Sequence, residues 1–178
     1  MKPFQKQETA PDSQHHRVFH NVPTIYFEIS RKYSKIAYKN FDGGTQMAEK
    51  LKWGIISTAW INDVIIPAIN KSGRSDLVGV ASRDPDRARA YASKKNIPKA
   101  YGSYEDLLND REIDVVYISV PNTLHSEWII KALEAGKHVL CEKPIVTTMK
   151  ELESVEAALK KHRVVLFEAL CICITPRH

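Results

Sequence analysis

The sequence predicts an α/β fold, a doubly wound parallel sheet with helices on both faces, on three observations. From Lys52 onward, short apolar strand patterns alternate with helical ones, and such alternation marks strands joined by crossover helices. Asp114–Val120 is a β-branched apolar run of the kind buried on both faces of a parallel sheet. Helix ends are punctuated where such units need them, by Gly73 and Gly136 after helical runs and by Pro85 and Thr148 before them.

The elements follow in order. Lys52–Ser57 is the first strand, and Ile61, Val64, Ile65, Ala68 and Ile69 recur at helical spacing, predicting an amphipathic helix from Ile61 to Ser72. Leu77–Ser82 is the second strand, and Asp84–Lys95 a helix with Pro85 in its first turn, where the missing N–H costs nothing. Tyr104–Asn109 is a short helix. Asp114–Val120 is a strand, followed by the loop Pro121-Asn122-Thr123 and a helix from Leu124 to Ala135. His138–Cys141 is a strand, Thr148 with Glu151 three residues later makes a capping box for a helix ending near His162, and Val164–Ala169 is the last strand.

The flanks read differently. Residues 1–46 mix polar and aromatic side chains without a period of 2 or 3.6 and end in Asp42-Gly43-Gly44, so they are expected to be a weakly ordered extension. Met47 opens a short polar lead into the first strand and would serve as a natural start; the extension is read as a misassigned start codon, against the alternative of a real accessory segment. The main domain is placed at 47–170, and 171–178 form an apolar stub after it.

Composition excludes several functions. The hydrophobic share of 43% and charged share of 26% belong to a globular protein. The net charge of +5 is concentrated in residues 1–46, leaving nineteen Lys/Arg against seventeen Asp/Glu in 47–178, and no basic stripe interleaved with aromatics points to nucleic acid. The three cysteines, Cys141, Cys171 and Cys173, lack zinc-site spacing, and Cys141 reads as a buried small hydrophobe. With no ~20-residue apolar span and no apolar block at the N-terminus, no membrane partner is expected and the location is cytoplasmic by default.

Three clusters carry chemistry. Gly54-Ile55-Ile56-Ser57-Thr58-Ala59 lies between the first strand and first helix, where a Rossmann-type dinucleotide fold places its pyrophosphate turn; Ser57, Thr58 and Ala59 are small enough for close backbone approach, although an ordinary strand-to-helix turn reads the same way. The second strand ends at Ser82-Arg83, where an acidic residue would bind an adenosine 2′-hydroxyl and arginine instead accommodates a 2′-phosphate, so Arg83 favours NADP, with NAD still allowed. Arg87, one helical turn on, could share that phosphate or be a solvated helix-face residue. Cys141-Glu142-Lys143-Pro144 sets a charged pair at the carboxyl end of a buried strand, facing the crevice where open α/β sheets bind ligands. A lysine there suits acid–base work on a small-molecule substrate, the alternative being a surface Glu-Lys pair.

These residues resemble the Gfo/Idh/MocA oxidoreductases, in the branch of the dihydrodiol dehydrogenases. The resemblance spans Lys52 to Pro176 and rests on Trp-Gly-Ile-Ile-Ser-Thr-Ala at 53–59, Ala-Ser-Arg-Asp at 81–84, Ser-Val-Pro-Asn-Thr-Leu-His at 119–125, Ala-Gly-Lys-His-Val-Leu-Cys-Glu-Lys-Pro at 135–144 and Glu-Ala-Leu at 168–170. It implies the 53–59 turn, Gly54 included, on the pyrophosphate, Ser82 and Arg83 at the adenosine end, and Pro121, Asn122 and His125 along the cofactor. It also implies Glu142 near the nicotinamide ribose and Lys143 as the catalytic lysine; His125 could equally be a simple helix-start histidine. Two departures stand out: Ser57 where many relatives have glycine, and Thr175 where a histidine usually precedes the proline.

The resemblance further implies a C-terminal α+β substrate domain, expected to be missing here, and allows a homo-oligomer for the full-length enzyme. The expectation is therefore the nucleotide-binding domain of an NAD(P)-dependent oxidoreductase acting on the CH–OH or carbonyl group of a sugar, polyol or diol, inactive as a fragment. The rivals are a non-catalytic dinucleotide-binding module, an inactive truncated product, and a non-dinucleotide α/β binding domain.

Overall fold

The computed structural model describes residues 50–169. The expectations for residues 1–46 and 171–178, Thr175, Cys171 and Cys173 among them, lie outside the described residues.

Six strands form one sheet: β1 (Leu51–Ile56), β2 (Ser75–Ala81), β3 (Lys99–Tyr101), β4 (Val115–Ile118), β5 (His138–Glu142) and β6 (Leu166–Ala169). Their order is β3-β2-β1-β4-β5-β6 and every pair is parallel, which is the strand order of a doubly wound dinucleotide fold. The connections are α1 (Asn62–Lys71), α2 (Pro85–Lys95), α3 (Tyr104–Asn109), a 3₁₀ turn (Asn122–Leu124) running into α4 (His125–Glu134), and α5 (Met149–Lys161).

Side chains alternate across the sheet and so divide the core. On one face Ile55 of β1, Val80 of β2 and Tyr117 of β4 pack with Ile66 and Ile69 of α1 and Ala92 of α2. On the other, Ile56, Val116 and Ile118 pack with Leu107 of α3, Ile129 and Leu133 of α4, and Val155 of α5. All four β4 residues are buried, as their uninterrupted apolar run requires.

Local signals act where the sequence puts them. The Asp84 side chain accepts from the backbone N–H of Asp86 and Arg87 at the head of α2, and Thr148 and Glu151 form the capping box of α5. Gly73 and Gly136 both adopt left-handed φ, 65° and 72°, after α1 and α4. Two expectations change. The edge strand β3 was not anticipated, because three residues are too few to show a period; it pairs with Gly79–Ala81. The β4 strand, Val115–Ile118, is shorter than the expected Asp114–Val120 at both ends: Asp114 turns its carboxylate back to accept from the N–H of Lys52 at 2.9 Å, and Ser119 and Val120 already belong to the loop that lines the cleft.

Candidate functional site

Sheet order reverses between β1 and β4, and the carboxyl ends of the strands there open onto a cleft of about 720 Å³. Its lining comes from four loops: residues 57–61 after β1, 82–84 after β2, 119–122 after β4, and Glu142 with Lys143 after β5, joined by Arg87 and Tyr104. A ligand crevice is expected at this topological switch point, and the volume is that of a small-molecule site.

Ser57 ends β1 with φ 105°, a conformation that favours glycine and costs a side-chain-bearing residue ~1–3 kcal/mol. A buried polar ring surrounds it. The Asn62 Nδ2 donates to the Ser57 carbonyl at 3.0 Å, and the Ser119 hydroxyl donates to Asn62 Oδ1 at 2.6 Å. The Ser57 hydroxyl lies 2.9 Å from the Ser119 Oγ and 3.0 Å from its carbonyl, and accepts from the Ala59 N–H at 3.2 Å. No side chain caps the start of α1, so its N-terminus meets the cleft without a competing carboxylate or hydroxyl from that position.

One side of the cleft is built on β2. Ser82 is buried, and its hydroxyl accepts from the Asp84 N–H at 3.2 Å, while Asp84 caps α2; Arg83 is thus held between two fixed residues. The Arg83 and Arg87 side chains are exposed and line the same cleft, with Tyr104 behind them. Burial pushes the Tyr104 phenol above its usual range, partly offset by the charges of Arg83 and Arg87 and a hydrogen bond to Arg83.

The opposite side is built on β4 and β5. Pro121, Asn122, Glu142 and Lys143 line the cleft, and the Tyr117 hydroxyl donates to Glu142. Beside them Cys141 is fully buried, and burial drives its thiol well above the usual range, which suits the packing role expected of it rather than a nucleophile.

Two expected cofactor residues are not brought to the cleft. Gly54 sits within β1, where an added Cβ would lie 2.9 Å from both Ile113 Cδ1 and Leu107 Cδ2; its smallness serves sheet-to-helix packing, and the turn begins three residues later. His125 is fully buried, with Nε2 2.9 Å from the Val120 carbonyl and Nδ1 2.7 Å from the Pro144 carbonyl, so its ring ties together the two loops behind the cleft. Conversely, Ser119, Tyr104 and Trp60 line the cleft and Asn62 is buried beneath its turn, and none of the four is among the residues the sequence singled out for the site. The G-x-G-x-x-G spacing of a dinucleotide turn falls on Ser57, Ala59 and Asn62, and applying that frame despite the absent glycines would have found Asn62.

Strand order, crevice and the paired arginines define a dinucleotide-binding domain of the Rossmann type, and its residues fit that group: a turn with left-handed backbone, an uncapped helix start and two guanidinium groups share one cleft. The family model for oxidoreductases with an NAD-binding Rossmann fold, Gfo/Idh/MocA, matches residues 51–170. The chain belongs to this family. A trans-1,2-dihydrobenzene-1,2-diol dehydrogenase of Xenopus laevis is 41% identical over 120 residues, covering 66% of this chain and 36% of that protein. A D-xylose 1-dehydrogenase (NADP(+)) of Haloferax volcanii is 43% identical over 120 residues, covering 67% and 37%. A 3-ketoreductase from Actinomadura kijaniata, solved with TDP-benzene and NADP, superposes with a TM-score of 0.63 at 33% identity, covering 67% and 38%. The chain therefore spans little more than a third of the length of these relatives. Among the described residues no group of three or more His, Cys, Asp or Glu could hold a metal, and no helix is long and apolar enough to cross a membrane.

Proposed function

We propose that the cleft binds NADP(H) with its 2′-phosphate on Arg83 and Arg87, its pyrophosphate on the Ser57-Thr58-Ala59 turn and its nicotinamide end beside Asn122, Glu142 and Lys143. The observation that carries this reading is the pair of exposed guanidinium groups after β2 in the same cleft as Lys143 after β5, on opposite sides of the switch point. An anion held at both ends and in the middle by such donors matches a phosphorylated dinucleotide better than a mononucleotide.

When bound, the nicotinamide supplies hydride exchange with a carbon centre. The chain's own part is to bind and orient. Arg83 and Arg87 discriminate the phosphate, the turn donates backbone N–H groups, and Glu142, held by Tyr117, orders the ribose side. Lys143 is placed to hold or pass a proton at its Nζ, as the oxidation of a hydroxyl carbon or reduction of a carbonyl demands. For the complete enzyme the substrate is a sugar, polyol or diol, in keeping with the diol and xylose dehydrogenases among the relatives. A cytoplasmic location and a homo-oligomeric state for that enzyme belong to the same reading.

The test is titration of the 178-residue chain with NADPH and NADH, followed by nicotinamide fluorescence. NADPH should bind more tightly, and Arg83→Ala should weaken NADPH ~10–100-fold, as the loss of a charge-assisted contact of ~1.5–3 kcal/mol implies, while leaving NADH within roughly threefold. Equal affinities in the native chain would defeat the NADP assignment.

A further inference from the structure

All three positions at which a dinucleotide turn ordinarily carries glycine hold something else here: Ser57, Ala59 and Asn62. The first glycine supplies a left-handed backbone and the last allows the helix to pack closely on the strand. Ser57 nonetheless adopts φ 105°. Asn62, with a much larger side chain, is fully buried at the start of α1. Both departures meet in one place.

The hydrogen bonds among Ser57, Ser119 and Asn62 close a circuit. Each hydroxyl has one hydrogen to give, and an acceptor-only oxygen fixes the direction. Asn62 Oδ1 can only accept, so Ser119 spends its hydrogen there, at 2.6 Å. The Ser57 hydroxyl is then left to donate to Ser119, whose Oγ and carbonyl lie at 2.9 and 3.0 Å. Asn62 completes the circuit by donating from Nδ2 to the Ser57 carbonyl at 3.0 Å. The three residues come from the end of β1, the end of β4 and the first position of α1, and their exposures are 8%, 7% and 0%. A carbonyl gripped by a buried amide cannot rotate away, so the bond to Asn62 opposes relaxation of the Ser57 backbone toward ordinary φ.

We infer that Asn62 and Ser119 are positioning residues for the phosphate-binding turn: a buried clasp that holds Ser57 in the backbone conformation a glycine would otherwise provide. The clasp itself is a property of the chain; its effect on NADPH rests on the binding mode proposed above. It predicts coupling between two changes. Asn62→Ala releases the Ser57 carbonyl, and that release is harmful only while residue 57 carries a side chain that prefers another φ. In a chain that already carries Ser57→Gly the conformation needs no clasp.

The experiment is a double-mutant cycle on the full chain, comparing native, Asn62→Ala, Ser57→Gly and the double variant by NADPH titration, with amide hydrogen exchange on the cofactor-free chains. Asn62→Ala should raise the Kd for NADPH roughly tenfold with Ser57 present and less than about threefold in the Ser57→Gly chain. A lost core contact alone would weaken both backgrounds alike, so equal losses would overturn the clasp. If the native chain binds no NADPH, the cofactor reading falls and exchange decides the clasp. The amides of Ala59, Asn62, Asp63 and Val64, which donate to the Ser57 hydroxyl and to the carbonyls of Ala59, Trp60 and Ile61, should then exchange faster in Asn62→Ala and in Ser119→Ala, and unchanged exchange in both would overturn it.

Discussion

Replacing His125 with alanine should lower the melting temperature of the cofactor-free chain by roughly 10–30 °C, because the ring works as a strut inside the protein. The imidazole is fully buried, with its two nitrogens 2.9 Å from the Val120 carbonyl and 2.7 Å from the Pro144 carbonyl. Carbonyls only accept, so the ring donates from whichever nitrogen carries hydrogen. Truncation removes a buried side chain, at ~2–3 kcal/mol for the lost packing, and leaves at least one of the two carbonyls without its donor, at ~1–3 kcal/mol, for a total of about 3–6 kcal/mol. In a domain of this size each kcal/mol moves the midpoint ~3–5 °C. The assay is thermal unfolding followed by far-UV circular dichroism, with NADPH titration of the variant well below its midpoint. A shift under about 3 °C, accompanied by clearly weaker NADPH binding, would refute the strut and return His125 to the cofactor.

Three further outcomes follow from the same geometry. Gly54→Ala should cost ~1–3 kcal/mol by overpacking against Leu107 and Ile113, visible as a lower midpoint with the NADPH affinity of the folded chain unchanged; altered affinity at an unchanged midpoint would place Gly54 in the turn after all. Burial lowers the His138 imidazole below its ordinary 6.5, with Asp114 opposing in part, and its Nδ1 accepts from the Val165 N–H at 3.0 Å, which requires the neutral ring. The folded value being depressed, the unfolded chain binds more protons in that window, so stability present above pH 6.5 is lost as pH falls below it, and His138→Gln should flatten midpoints measured between pH 7.5 and 5.5; an equally steep profile in the variant would exonerate His138. A chain beginning at Met47 should melt at the same temperature as the full chain, since residues 1–46 show no period of 2 or 3.6 from which a packed face is built, and a clear loss of stability would assign that segment a packing role.

Legibility in the sequence tracked the range of the interaction. The capping box of Thr148 and Glu151 and the Asp84-Pro85 start of α2 are signals held within a few residues and appear where the sequence puts them, and the apolar run of β4 forms a strand within its expected bounds. The edge strand β3 was hidden because it takes its identity from pairing with Gly79–Ala81, not from any pattern of its own. Gly54 was drawn into the turn because an apolar run bounded by small residues does not show where its strand ends. Asn62 and Ser119 stand 57 residues apart, and nothing in either neighbourhood announces a buried partner. His125 follows the same rule: the family resemblance implied a place along the cofactor, with a simple helix-start histidine as the alternative, whereas the carbonyls that claim its nitrogens come from two different loops.

The polar groups around the cleft have a common arrangement: they fix the backbone at the roots of the long exposed cations. Glu142 is paired with Ala169 in the sheet, the Pro144 carbonyl is tied to His125, and the Ile145 N–H to Glu168 at 2.8 Å, so the backbone on both sides of Lys143 is pinned while its own side chain stays exposed. Arg83 stands in the same relation to Ser82 and Asp84. A long cation on a rigid root can follow a phosphate or a reacting oxygen through a short arc without moving the sheet, and the ordering entropy then falls on one side chain instead of a loop. The turn at Ser57 is the opposite case, since it offers backbone N–H groups with no flexible reach; its geometry must be set before the ligand arrives. That difference explains why the buried circuit of Ser57, Ser119 and Asn62 lies under the turn, where a misplaced main chain has no side chain to correct it.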